Sequence, residues 1–220
     1  MKSFKDGERE TRVLKGIDLE VGRGEFVSIV GRSGAGKSTL MYQMSLLDEP
    51  TEGDVLVEGR STREMATEEE TLMRLTEFGY VFQDYALLPD LSALENVVLP
   101  LLMQGKSKGE AEAIAARALA KVELTHRLKN LPSQMSGGEQ QRAAIARAIA
   151  HAPKLLFADE PTANLDRQSS GQVVTIFKEL HAAGQTIIMV THEEEYARAA
   201  GRIVTIDDGK VLSDVSLSEQ

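Results

Sequence analysis

Residues 31–39, GRSGAGKST, carry the spacing of a phosphate-binding loop: a strand-like run ends at Gly31, and a helical pattern of Leu40, Met41, Met44 and Leu47 follows. Glycines at this spacing let successive backbone N–H groups point into one concavity, which the oxygens of a triphosphate can fill. The start of the following helix adds roughly half a positive charge at the same place. Gly31, Arg32, Ser33, Gly34, Ala35 and Gly36 would line that cradle. Lys37 would reach the β- and γ-phosphates, Ser38 offers its hydroxyl to magnesium, and Thr39 lies beside it. The plainer alternative is a glycine-rich structural turn, which the full pattern in its strand–helix context disfavours. The loop therefore implies nucleotide binding, and by itself leaves the class of nucleotide-using protein open.

Two further segments narrow that class. KLLFADEP, residues 154–161, is an apolar strand ending in two acids. Asp159 at the strand end is suited to hold the shell of a magnesium ion. Glu160, one residue further, would sit at the mouth of the nucleotide cleft, where a carboxylate can orient an attacking water or accept its proton. Alone, an Asp-Glu pair after a strand reads as a solvated turn; beside the phosphate loop it reads as chemistry. MSGGEQQR, residues 135–142, opens an alanine-rich helix with Ser136, Gly137 and Gly138, a second helix start offering a hydroxyl, bare N–H groups and a positive dipole end. One chain rarely needs two such ends for one triphosphate. The economical explanation is that the second grips a nucleotide bound by another copy of the chain. A simply capped helix with a glycine entry is the alternative.

These residues need a scaffold, and the apolar pattern supplies one. Strand-like runs fall at residues 25–30, 54–58, 79–82, 155–158, 186–190 and 202–206, with helical stretches at 166–183 and 193–200. Strands alternating with helices indicate an α/β fold with a mostly parallel sheet covered on both faces. Between residues 92 and 150 the pattern is helical, and Ser92 with Glu95, Ser107 with Glu110, and Ser136 with Glu139 each match a capping box. Pro100 is expected to kink or end the first of these helices. Asp208-Gly209 predicts a tight hairpin into residues 210–212. The chain has 220 residues, enough for one large domain, and a net charge of -9, which argues against a nucleic-acid backbone as partner. It has no cysteine, excluding disulfides, Cys-ligated zinc and thiol chemistry. No apolar run approaches the ~18–20 residues of a membrane span, and the charged first twenty residues do not read as a signal peptide.

The combination resembles the ABC ATPases, whose signature LSGGQ corresponds to MSGGE here. The resemblance extends in order over nearly the whole chain. Gln83, in VFQDYALLP, resembles the Q-loop glutamine that links the magnesium site to a transmembrane partner. Residues 164–166, ending in Asp166, resemble the D-loop, and His192 resembles the switch histidine that contacts the γ-phosphate. Phe4 stands where the family places an aromatic that stacks on adenine, although only Met1, Lys2 and Ser3 precede it, so the chain reads as starting late. The resemblance implies a P-loop NTPase core with a mostly parallel sheet, a small antiparallel β subdomain and a helical subdomain at about 88–150 within one domain, 1–220. It implies ATP and Mg2+ as cofactors, with Ser38, Gln83 and Asp159 toward the metal and Lys37, Gln83, Glu160 and His192 catalytic. Ser136, Gly137, Gly138 and Asp166 would act toward the nucleotide. It further implies an ATP-dependent homodimer working with an integral membrane permease, peripheral on the cytoplasmic face of the membrane. DYALLPDLSALENVVLPLL looks like the branch serving lipoprotein release, macrolide export and cell division.

Other readings fit less well. A P-loop GTPase lacks its guanine-reading NKxD motif here, and neither it nor a small-molecule kinase needs the Ser136 helix start. ABC proteins acting on DNA or ribosomes carry a long coiled coil or two ATPase domains, which this acidic chain lacks. A nucleotide-gated assembly or signalling ATPase of the cell-division type, moving no cargo, stays open at this level.

Overall fold

The computed structural model describes residues 1–7 and 9–217. Its centre is a six-stranded sheet in the order β10-β9-β3-β8-β7-β6. These strands are β3 (Phe26–Val30), β6 (Phe78–Val81), β7 (Leu155–Asp159), β8 (Thr186–Thr191), β9 (Arg202–Asp207) and β10 (Lys210–Ser216). All pairings are parallel except β10 on β9. Successive side chains alternate between faces, so each central strand feeds two cores. Ile187 and Met189, with Leu156 and Ala158, join one apolar layer; Ile188 and Val190, with Phe157, join the other. This two-sided burial is why these strands read as continuous apolar runs.

The first layer is covered by α5 (Gly137–Ile149) and α6 (Arg167–Ala182), with α3 (Ala93–Met103) and α4 (Lys108–Lys121) packed further out on α5. The second layer is covered by α1 (Lys37–Met44), whose Leu40 and Met41 are buried in it. A separate hairpin of β1 (Lys2–Asp6) and β2 (Arg9–Leu14), a two-residue-strand hairpin of β4 (Leu56–Val57) and β5 (Arg60–Ser61), and the polar helix α2 (Thr67–Thr76) lie outside the main sheet. A short helix, α7 (Glu194–Ala197), follows β8.

Several expectations are corrected at their edges. The run at 54–58 yields only Leu56–Val57, because Glu58 (φ 52) and Gly59 (φ 81) turn the chain back at once. Asp208 (φ 44) and Gly209 (φ 73) make the same kind of turn, and β10 continues beyond residue 212 to Ser216. The first helix stops at Met44, before Leu47, because Leu46 adopts φ 59 and the N–H groups of Leu47 and Asp48 bond back to the Tyr42 carbonyl. Pro100 does not end α3, which runs on to Met103. The helix expected at 193–200 is confined to Glu194–Ala197. The hairpin β1–β2 and helix α2 carry no clear period in the sequence.

The caps formed to different extents. At Ser92 and Ser136 both halves of the capping box are present; at Ser107 only the serine side chain bonds, to the Glu110 N–H. Buried Asn96 closes the approach to α3: its amide donates to the carbonyls of Leu88, Leu91 and Ser92, and its oxygen accepts from the Leu88 N–H. Glu139 is the most strongly held cap. Burial works against its charge, but the Ser136 N–H at 2.9 Å and the Arg127 guanidinium at 2.8 Å outweigh it and bring its pKa to about 2.

A depressed carboxylate stabilises the fold fully above its unfolded pKa near 4.5, and that contribution is lost as the pH falls through about 2. Replacing Glu139 by Gln keeps an acceptor for the Ser136 N–H but removes the charge. The expected cost is about 1 kcal/mol at neutral pH, shrinking as the pH falls below about 4, as read by urea unfolding across that range. A cost independent of pH would assign the effect to packing instead of charge.

Candidate functional site

Strands β3, β8 and β7 are neighbours and parallel, with Val30 opposite Thr191 and Asp159 opposite Val190. Their C-terminal ends therefore open on one edge, and the loop 31–36, His192 and Glu160 leave the sheet side by side. Gly36 precedes α1 at φ 101, and a side chain there would press on Leu14 Cδ2 at 2.8 Å. Only glycine meets both conditions. The loop is braced by the β9–β10 turn: the Gly209 N–H donates to the Ala35 carbonyl at 3.1 Å, and the Gly209 carbonyl accepts from the Lys15 N–H at 2.8 Å. Arg32, Ser33 and Gly34 remain exposed, while Ala35, Gly36 and Lys37 are buried.

Lys37 folds over its own loop, donating to the carbonyls of Gly31 at 3.0 Å and Arg32 at 3.3 Å, with Glu160 Oε1 3.9 Å away. Glu160 extends the sheet ladder by one bond, its N–H donating to the Val190 carbonyl, but at φ 45 it turns out of strand geometry. A left-handed glutamate is strained by roughly 1–2 kcal/mol. Its other oxygen, Oε2, accepts from the His192 N–H at 3.2 Å and from His192 Nδ1 at 2.8 Å. Since a carboxylate only accepts, Nδ1 carries the proton. The structure thus brings Lys37, Glu160 and His192 into one connected group, with the histidine ring more than half exposed.

Asp159 is 6% exposed. Its Oδ1 accepts from Ser38 Oγ at 3.0 Å, and its Oδ2 from the Tyr42 hydroxyl at 3.0 Å. Burial, and then the Asp159 charge, push the Tyr42 phenol up to about 12, so it remains a donor. Among the described residues no three His, Cys, Asp or Glu side chains cluster as a protein-only metal site. The hydroxyl and carboxylate oxygens of Ser38 and Asp159 nevertheless fit magnesium, a hard cation that takes its remaining ligands from phosphate and water. Gln83 lies just beyond β6, and its backbone carbonyl accepts from Asn164 Nδ2 at 3.2 Å.

The Ser136 helix start is a second surface. Ser136 is exposed, and a side chain added at Gly138 would meet Ser169 Oγ at 2.5 Å, so α5 can begin this close to α6 only with glycine there. Asp166 caps α6 through bonds from the Gln168 and Ser169 N–H groups, and Ser169 Oγ donates to its second oxygen at 2.7 Å. Phe4 sits on β1, 48% exposed, with Lys2 Nζ 5.0 Å from its ring centre.

Three contributors have no role that the motifs assign. Arg147 of α5 donates to the carbonyls of Tyr85 (2.9 Å) and Ala86, holding two left-handed residues just after Gln83. Gln141 donates to the Pro161 carbonyl, tying α5 to the segment after Glu160. Tyr42 reads in the sequence as an ordinary helical residue. A polar residue four positions after Ser38 is the one signal that could have pointed to it.

Comparison with known proteins agrees with this geometry. A family model described as "ABC transporter" matches residues 14–163. The chain is 48% identical over 208 residues to the lipoprotein-releasing system ATP-binding protein LolD of Aquifex aeolicus, covering 94% of this chain and 93% of that protein. It is 45% identical over 213 residues to the macrolide export ATP-binding/permease protein MacB of Agrobacterium fabrum, covering 97% of this chain but 33% of that longer protein. A dimeric structure of a post-hydrolysis state of the ATP-binding cassette MJ0796, bound to ADP and Pi, superposes with a TM-score of 0.92 at 39% identity over 100% of this chain and 97% of that one. With the fold, the order of the motifs and these relatives in agreement, the chain belongs to the ABC transporter family and has the fold of its ATP-binding cassettes.

Proposed function

We propose that this chain is the ATP-hydrolysing subunit of a transport complex, working as an ATP-dependent homodimer beneath a membrane permease on the cytoplasmic face. The observation that carries this reading is the joining of Glu160 to both the phosphate-loop lysine, Lys37, and His192 at one sheet edge. In this reading the chain is a single domain, 1–220, with residues 88–150 as its helical subdomain. Relatives named for lipoprotein release and macrolide export favour transport over an assembly role without cargo.

The chemistry follows from the groups at hand. An arriving triphosphate offers Lys37 anionic oxygens in place of the neutral carbonyls of Gly31 and Arg32, and charge-assisted bonds are roughly twice as strong. The N–H groups of residues 32–36 and the start of α1 meet the phosphates from below. Ser38, with Asp159 and Gln83 nearby, would hold magnesium, and that ion would supply positive charge to offset charge developing on the phosphates. Glu160 orients the attacking water and accepts its proton. His192 holds the Glu160 carboxylate in place and stands at the γ-phosphate end. Ser136 to Gly138 of a second copy would close over the same nucleotide, with Asp166 at the junction and Phe4 against adenine. Such closure, made by ATP and undone by hydrolysis, is a population shift that a partner can harness.

The permease surface in this reading is the apolar groove between β6 and α3, lined by Tyr80, Phe82, Leu88, Leu99, Pro100 and Met103. Met103 is 66% exposed there. The groove adjoins the segment that follows Gln83, so a partner seated in it would feel movements of that loop.

Two substitutions test the assignments. Glu160→Gln is expected to bind ATP, to hydrolyse it roughly 100-fold more slowly or worse, and to elute as a dimer in ATP and magnesium by size-exclusion chromatography. Turnover near the wild-type rate would remove Glu160 as the catalytic carboxylate. Lys37→Ala is expected to weaken ATP binding by roughly tenfold or more in calorimetric titration. Unchanged affinity would remove the phosphate-loop assignment.

A further inference from the structure

We infer that Tyr42 is a positioning residue for the magnesium-dependent step of nucleotide binding, setting the orientation of the Asp159 carboxylate through a hydrogen bond from its phenol. The inference rests on the reading of Ser38 and Asp159 as the cation pair.

Ser38 and Tyr42 lie four residues apart on α1, on the face that meets the end of β7. Each gives its hydroxyl to a different oxygen of the same carboxylate, Ser38 to Oδ1 and Tyr42 to Oδ2, both at 3.0 Å. A carboxylate held at one oxygen can still swing about its Cβ–Cγ bond; held at both by donors on one rigid helix, it cannot. The two donors differ in what they can do later. The Ser38 hydroxyl donates to Oδ1 and would also turn a lone pair to a cation, so its position answers to two partners. The Tyr42 phenol has no such second duty, and its bond serves the carboxylate alone. Its ring packs against the apolar layer beneath the phosphate loop, which holds the hydroxyl in place. Asp159 takes no other side-chain bond among the described residues, so loss of the phenol leaves one buried carboxylate oxygen unpaired and the carboxylate free to rotate. Groups that orient a ligand from behind in this way are typically worth about 10–100-fold in metal affinity.

The test is calorimetric titration of the full chain with ATP at a series of free Mg2+ concentrations and in EDTA, comparing wild type with Tyr42→Phe. The phenylalanine variant keeps the ring and removes only the donor. The expected result is a Mg2+ midpoint raised roughly tenfold with ATP affinity in EDTA unchanged. Equal midpoints in the two proteins overturn the positioning role while leaving Ser38 and Asp159 as the cation pair. Affinity lost equally with and without Mg2+ also overturns it, and makes Tyr42 a packing residue of the loop. If wild-type affinity itself does not respond to Mg2+, the cation pair fails, and this inference fails with it. Tyr42→Leu, which removes the ring too, is expected to lower the unfolding temperature further than Tyr42→Phe does.

Discussion

The site depends on one geometric constraint, the parallel pairing of β3, β8 and β7 in the middle of the sheet. Parallel strands point their C-terminal ends the same way, so groups that follow each strand emerge together even when they lie more than a hundred residues apart. The phosphate loop follows β3, Glu160 follows β7 and His192 follows β8. Shifting one of these pairings by a residue would turn Asp159 into the apolar layer and carry Glu160 away from Lys37. Burial on both faces makes such a slip costly, because alternate residues of each strand belong to different cores.

The charges at this edge are partnered within the chain itself. A buried lysine, a buried aspartate and a mostly buried glutamate would each be unstable without partners. Each has them: loop carbonyls for Lys37, two hydroxyls for Asp159, and a histidine for Glu160. The backbone that carries these groups is held by glycine conformations and by the Gly209 turn.

The helix α5 joins the parts of the molecule that the strands do not. Its first turn presents Ser136; Gln141 reaches the chain after Glu160; Arg147 holds the chain after Gln83. Asn164, bonded to the Gln83 carbonyl and to Asp84, completes the connection between the two loops. One rigid element therefore touches the exposed Ser136 surface, the edge that carries Glu160 and the groove between β6 and α3.

Much of this was legible along the chain. Residues 31–39 and 154–161 have types and spacing that suit phosphate and metal chemistry, and because such chemistry is local, the roles proposed for them come from the residues alone. Alternating apolar runs and serine–glutamate pairs likewise marked most strands and helix starts, since burial period and cap bonding are also local. The edges were harder, because the stop after Met44 and the turn after Val57 depend on left-handed residues, Leu46 and Glu58, whose types do not announce that conformation. The contacts made across the fold could not be read at all. Nothing in the residue types says that Tyr42 meets Asp159, that Arg147 holds Tyr85, or that Gly209 braces Ala35. Such bonds join residues brought close only by packing, and a side chain suited to many partners acquires one when the chain has folded around it.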